Sequence, residues 1–291
     1  MSTLDEFLQS NPGLDPGITE SLGEGSGRAF LGDFLGSPPL SQAREDAILA
    51  AVTNGAARVL WGTLTTSWTG RSGTAHTATL FVMRDALAVG TADDFVRASV
   101  RCDTAQRIAD ALGAQLLTPH VADMIFDQAD VKSASHPQNA WVRDRTMSST
   151  RRMIDYQNIV QGALEVAGAK ASDLVANSGK HWVVTNRLWE PGRAGKAANY
   201  GWYSGPTSQG GLAQPVELGH GFALWVDYSQ LVQLMGATMI VDGALARTAD
   251  VMMDPELHGL VSSDFIRSSG GGQTVKLAEG VMRGFRYPPG G

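Results

Sequence analysis

Apolar residues recur along this chain at helical spacing in its first half and in short alternating runs in its second. Ser41 precedes a stretch with Ile48, Leu49 and Val52 on one face that stops at Asn54-Gly55, which predicts a serine-capped, glycine-terminated helix. Arg58 to Thr66 and His76 to Met83 are rich in β-branched and aromatic residues. The second run alternates, with His76, Ala78, Leu80 and Val82 on one face, and both are predicted strands. Leu87 to Val89, closed by Gly90, predicts a third. Asp103 to Gly113 predicts a helix, with Asp103 as cap, Gln106 as its capping partner, and Ala105, Ile108, Ala109 and Leu112 as the buried stripe. Thr118-Pro119 starts another, with Val121, Met124 and Ile125 inward, and one more runs from about Ser149 to Val166 before Gly168.

After Leu174 the pattern changes. Trp182 to Thr185, Ala197 to Tyr203, Phe222 to Tyr228 and Thr238 to Val241 are predicted strands separated by glycine-rich loops. Strands and helices do not alternate regularly, so the expected fold is α+β, with helices mainly in the first half and a short-stranded, mostly antiparallel sheet in the second. Residues 1–39 hold successive turns at Asn11-Pro12-Gly13 and Asp15-Pro16-Gly17 and are expected to form a flexible lead whose removal leaves the body folded. Within it, Phe30, Leu31, Phe34 and Leu35 have helical spacing and could dock on the body. Residues 40–267 are expected to form one domain, and 268–291 a Gly/Pro-rich tail.

Composition narrows the classes. With 43% hydrophobic and 18% charged residues, a chain of 291 residues can bury a real core. A net charge of -6 offers no surplus cation to release counterions from a phosphate backbone, so nucleic acid is not an expected partner. Cys102 is the one cysteine, and no intrachain disulfide can form. It reads as a small residue at a helix start in preference to a thiol activated by Arg101 and the helix dipole. No run is long enough to span a membrane. The N-terminus opens on Asp5 and Glu6 without a signal-peptide pattern, so synthesis in the cytoplasm is expected, with any outside role needing a non-classical route of release.

Candidate chemistry gathers between Lys180 and Ser229. Trp182, Trp189, Trp202 and Trp225 lie there among scattered polar groups, with Trp141 leading in; such a composition suits a ligand pocket and equally a β-rich core. Lys180 and His181 follow Gly179, a position that could aim both into a cleft, and His220 stands between two glycines. In the expected site His220 is the base, Asp227 orients it, and Lys180 meets an anionic group or developing oxyanion. His181, Tyr200, Trp202 and Trp225 would hold substrate. A variant makes Ser229 the nucleophile, although no Gly-x-Ser-x-Gly elbow presents it. His120 and Asp123, one helical turn apart, form a lesser candidate pair.

The spacing of His220 and Asp227 is similar to that in zinc D-alanyl-D-alanine peptidases, which implies that both could be metal ligands and zinc the cofactor. The glycine between them in that family is absent, and Asp254-Pro255-Glu256-Leu257-His258 departs from the spacing of its second histidine region.

More broadly, Leu87-Ala88-Val89-Gly90, Asp93-Asp94-Phe95-Val96-Arg97, Gly179-Lys180-His181-Trp182, Asn199-Tyr200-Gly201-Trp202, Gln214-Pro215, His220 and Asp227-Tyr228-Ser229-Gln230 resemble the recurring blocks of a family of uncharacterised bacterial proteins, over about Ser41 to Asp254. In that family a histidine follows the Tyr-Gly-Trp block; this chain has Tyr203 there. The expected function is a hydrolase acting on an amide or peptide bond, in cell-wall peptides. The alternative is a non-enzymatic binding or structural component of a phage or injection particle, with a particle or oligomer partner.

Overall fold

The computed structural model describes residues 2–138, 145–205, 207–208, 214–262, 264–268 and 274–288. Trp141 lies outside them. Helices and mostly antiparallel sheets together make the fold α+β, as the patterning predicts.

The main sheet is built on the hairpin Trp61–Thr69 and Ala75–Met83, paired from Trp61↔Met83 to Thr69↔Ala75. Leu234–Val241 adds antiparallel to the second strand and carries Ala244–Arg247 and Ala114–Leu116. A second sheet runs in the order Ser21–Leu22, Ala57–Val59, Ala88–Gly90 and Phe95–Arg97. The run Arg58 to Thr66, expected as one strand, therefore belongs to two sheets. Val59 pairs with Ser21 and Trp61 with Met83, and buried Leu60 is the link between the two sheets.

The third sheet holds the candidate chemistry. Lys180–Val183 lies at its centre, antiparallel to Ala198–Tyr200 and parallel to Gln230–Leu231. Phe222 to Tyr228 is not a strand, because its backbone bonds go elsewhere: Phe222 N donates to Gly195 O, Asp227 N to Gln230 Oε1 and Tyr228 N to Met147 O. Leu224 consequently points to solvent.

The helices form largely where their signals lie. Pro119–Gln128 begins with Thr118 Oγ1 accepting from Val121 N, and Thr150–Val166 has Ser149 as its cap. The helix expected from Asp103 runs Cys102–Ala111, one residue earlier, with Arg101 at the cap position and no side-chain cap bond; Ile108 is buried and Leu112 half-buried. Cys102 is fully buried at its start, and burial pushes its thiol up, so it is a packing residue.

Both chain ends are more ordered than their composition suggests. Leu4–Ser10 is a helix with a capping box at Thr3 and Glu6, and Phe7 packs edge-on against Phe81, 5.4 Å between ring centroids. Trp61 Nε1 donates to Thr19 O and Trp61 N to Glu20 Oε1, while Leu4 and Leu31 are buried. The lead is thus part of the body: a few apolar anchors and backbone bonds hold a segment whose glycines and prolines suggest none. At the other end, Tyr287 Oη donates to Val183 O and accepts from Ala198 N, tying the tail to the third sheet.

Candidate functional site

Alternation along the central strand of the third sheet decides which residues can meet. Lys180 pairs with Gln230, Trp182 with Asn199, and Asn199 bridges to Glu217, so Lys180, Gln230, Asn199 and Glu217 share one face. His181 pairs with Tyr200 and faces the other way. Adjacent strand residues cannot enter one cleft, and the expectation that Lys180 and His181 act together is corrected by that parity.

On the first face Lys180 Nζ lies 3.2 Å from Asp227 Oδ2, both side chains buried, and 5.2 Å from the centroid of the Trp202 ring. Asp227 Oδ1 accepts from Ser229 N and Ser229 Oγ, each at 2.7 Å, and Gly179 is required beside them because a Cβ there would stand 2.7 Å from Ser229 O and from Leu231. Ser229 is 1% exposed, and its hydroxyl is spent on a carboxylate. That arrangement suits a structural turn and not a presented nucleophile.

His220 takes a different carboxylate from the one expected. Its Nε2 lies 3.2 Å from Glu217 Oε1, and its ring stacks on half-buried Trp225 at 6.0 Å and 8°. Glu217 also accepts from Gln214 Nε2 at 2.9 Å. The His220 hydrogen bond, aided by the Lys180 charge, holds the Glu217 carboxyl below its usual range. Asp227, Lys180 and Glu217 thus alternate in charge, and His220 closes the series through its contact with Glu217; Lys180 is linked to Asp227 by hydrogen bond and to Glu217 by its field. Sequence reasoning misses Glu217, although its i,i-3 spacing from His220 is an available signal.

Among the described residues, no three or more His, Cys, Asp or Glu side chains gather as metal ligands would, and His220 and Asp227 engage different partners. Several buried polar atoms on or beside the Lys180 face have no hydrogen-bond partner among the described residues: Asn199 Oδ1 and Nδ2, Gln230 Nε2 and Trp202 Nε1. Such atoms cost stability unless something else satisfies them.

The opposite face is a separate buried cluster. Tyr200 and Tyr203 both donate to Asp123 Oδ1, at 2.9 and 2.7 Å, and burial pushes Asp123 up to about 7 against those two bonds. Asp123 is therefore engaged by tyrosines from across the fold. His181 is buried on this side, with Nδ1 unpartnered among the described residues, and burial pushes it down to about 4. Of the four residues expected to hold substrate, Trp202 and Trp225 lie with the charged chain, whereas His181 and Tyr200 lie behind it. Compared with protein-family models, curated proteins and solved structures, the chain matches none.

Proposed function

We propose that this chain hydrolyses an amide or peptide bond, with His220 as general base. The observation that supports it is the Glu217–His220 pair: a carboxylate accepting from Nε2–H fixes the ring and leaves Nδ1 as the proton acceptor. The His220 side chain retains 21% exposure, enough for a water or substrate to reach it, and Trp225 provides a flat wall beside it. In this reading water loses a proton to His220 Nδ1 as it attacks the carbonyl carbon, and the imidazolium, stabilised by Glu217, returns that proton to the departing nitrogen. Lys180 is a positioning residue whose field adds to the His220 hydrogen bond in keeping Glu217 ionised, and Asp227 balances its charge.

Cell-wall stem peptides are the first substrates to test, with the freed amines read by mass spectrometry. His220→Ala should lower turnover at least about 100-fold, the usual contribution of a positioned base, while leaving the melting temperature nearly unchanged. Glu217→Gln should lower it less. Full activity in His220→Ala would end this assignment, and a wild-type protein inert on every stem peptide would end the cell-wall reading.

A further inference from the structure

The second sheet carries a feature unrelated to the Lys180 face. Arg58 pairs with Ala88, and Ala88 with Arg97, so two arginines two strands apart share one face with only a methyl group between them. Phe95, two residues before Arg97, lies on that face as well and receives both guanidiniums, at 5.1 and 5.2 Å from its ring centroid. Arg58, Phe95 and Arg97 line a cavity of about 170 Å³, whose wall also includes Arg84 and Lys170.

The charges around this cavity are unequally compensated. Arg97 is held by Asp85 through a fork of bonds, at 2.6 Å from Nη2 and 3.0 to 3.1 Å from Nε, and by Gln157. Arg84, 8% exposed, bonds Glu20 through Nη2 at 3.3 Å, but its Nε is buried without a partner among the described residues. Arg58 Nε is likewise buried and unpartnered among the described residues, where the aromatic ring and the field of Asp85 and Glu20 offset Arg97 and Arg84. Asp173, the other carboxylate of the wall, accepts from the Lys170 backbone N. Four cations line this cavity against two carboxylates; crowding like charges is costly, and an oxyanion relieves that cost through the planar donor fork of arginine.

We infer that this cavity is a binding site for the phosphate group of a small molecule, with Arg58 and Arg84 as the ligating residues and Lys170 at the rim. Its volume is close to that of a benzene-sized cavity, so the part of the ligand held inside is compact, as a phosphate group is. The acidic chain as a whole repels anions; this recess concentrates four cations among its lining residues.

Inorganic phosphate serves as the probe, titrated into the full-length protein by calorimetry and by thermal melting, against sodium chloride at matched ionic strength and against malonate. Phosphate at a hundredfold excess over its dissociation constant should raise the melting temperature by about 5 °C beyond chloride. Arg58→Gln should abolish that rise, whereas Arg247→Gln, the same charge change on an exposed strand, should keep it. If Arg58→Gln melts without cooperativity, Arg58→Lys, which keeps the charge but loses the fork, should bind phosphate at least about tenfold more weakly. No phosphate-specific effect in the wild type, an undiminished effect in the folded Arg58 variants, or malonate binding as tightly as phosphate would each overturn the assignment.

Discussion

Lys180 Nζ and Asp227 Oδ2, 47 residues apart in the chain, meet at 3.2 Å where both side chains are shut away from water. Removing one partner strands the other as a buried charge. Lys180→Met is expected to cost about 3 to 5 kcal/mol in urea denaturation, and the double variant Lys180→Met/Asp227→Asn to recover a large part of it. Simple additivity of the two single effects would show that the pair is not coupled.

The cluster behind the sheet predicts two opposed pH dependences. Burial raises Asp123 from 3.8 to about 7, so its contribution is fully present below about pH 4 and is lost as pH rises through 7. Burial lowers His181 from 6.5 to about 4, so its contribution is present above pH 6.5 and is lost as pH falls toward 4. Each amounts to on the order of 3 to 4 kcal/mol, and they offset one another across that range. Asp123→Asn should therefore gain stability relative to wild type as pH rises from 5 to 8, and His181→Leu should gain relative to wild type as pH falls from 6.5 to 4. Urea unfolding at stepped pH reads both; variant profiles that run parallel to the wild type would refute burial of these two side chains as the origin of the dependences.

Deletion of residues 1–39 is expected to be severe. Burial of Leu4 and Leu31 alone is worth roughly 3 to 6 kcal/mol, before the bonds from Trp61 to Thr19 and Glu20 are counted. The truncated protein should lose cooperative melting, and a truncation that melts sharply near the wild-type temperature would show the docking to be dispensable.

Where local chemistry decides structure, the sequence is readable: Thr118 before Pro119, Ser149 before its helix, and the strand that buries Ala78, Leu80 and Val82 all appear as expected, although Phe81 and Met83 on its other face are buried too. Where partners from distant segments decide it, the sequence is silent. Nothing local in Phe222 to Tyr228 shows that its backbone groups bond Gly195, Met147 and a glutamine side chain, and nothing near His220 favours Glu217 over Asp227 until the loop's path is known. The candidate residues do fall in one region of the fold, but their division between two faces depends on register. The docked lead escapes sequence reading for a related reason, since two leucines and a few backbone bonds outweigh many turn-forming residues.

The opposed orientation of Lys180 and His181 carries a consequence for how this segment can change over generations. Single substitutions on either face leave the other face's geometry in place, so the two clusters can drift independently. A one-residue deletion between Asn177 and Lys180 would rotate the whole strand by one position, carrying the ammonium toward Asp123 and the neutral imidazole toward Asp227. A replacement in the segment therefore strikes one cluster at a time, whereas a deletion there would disable both in one step.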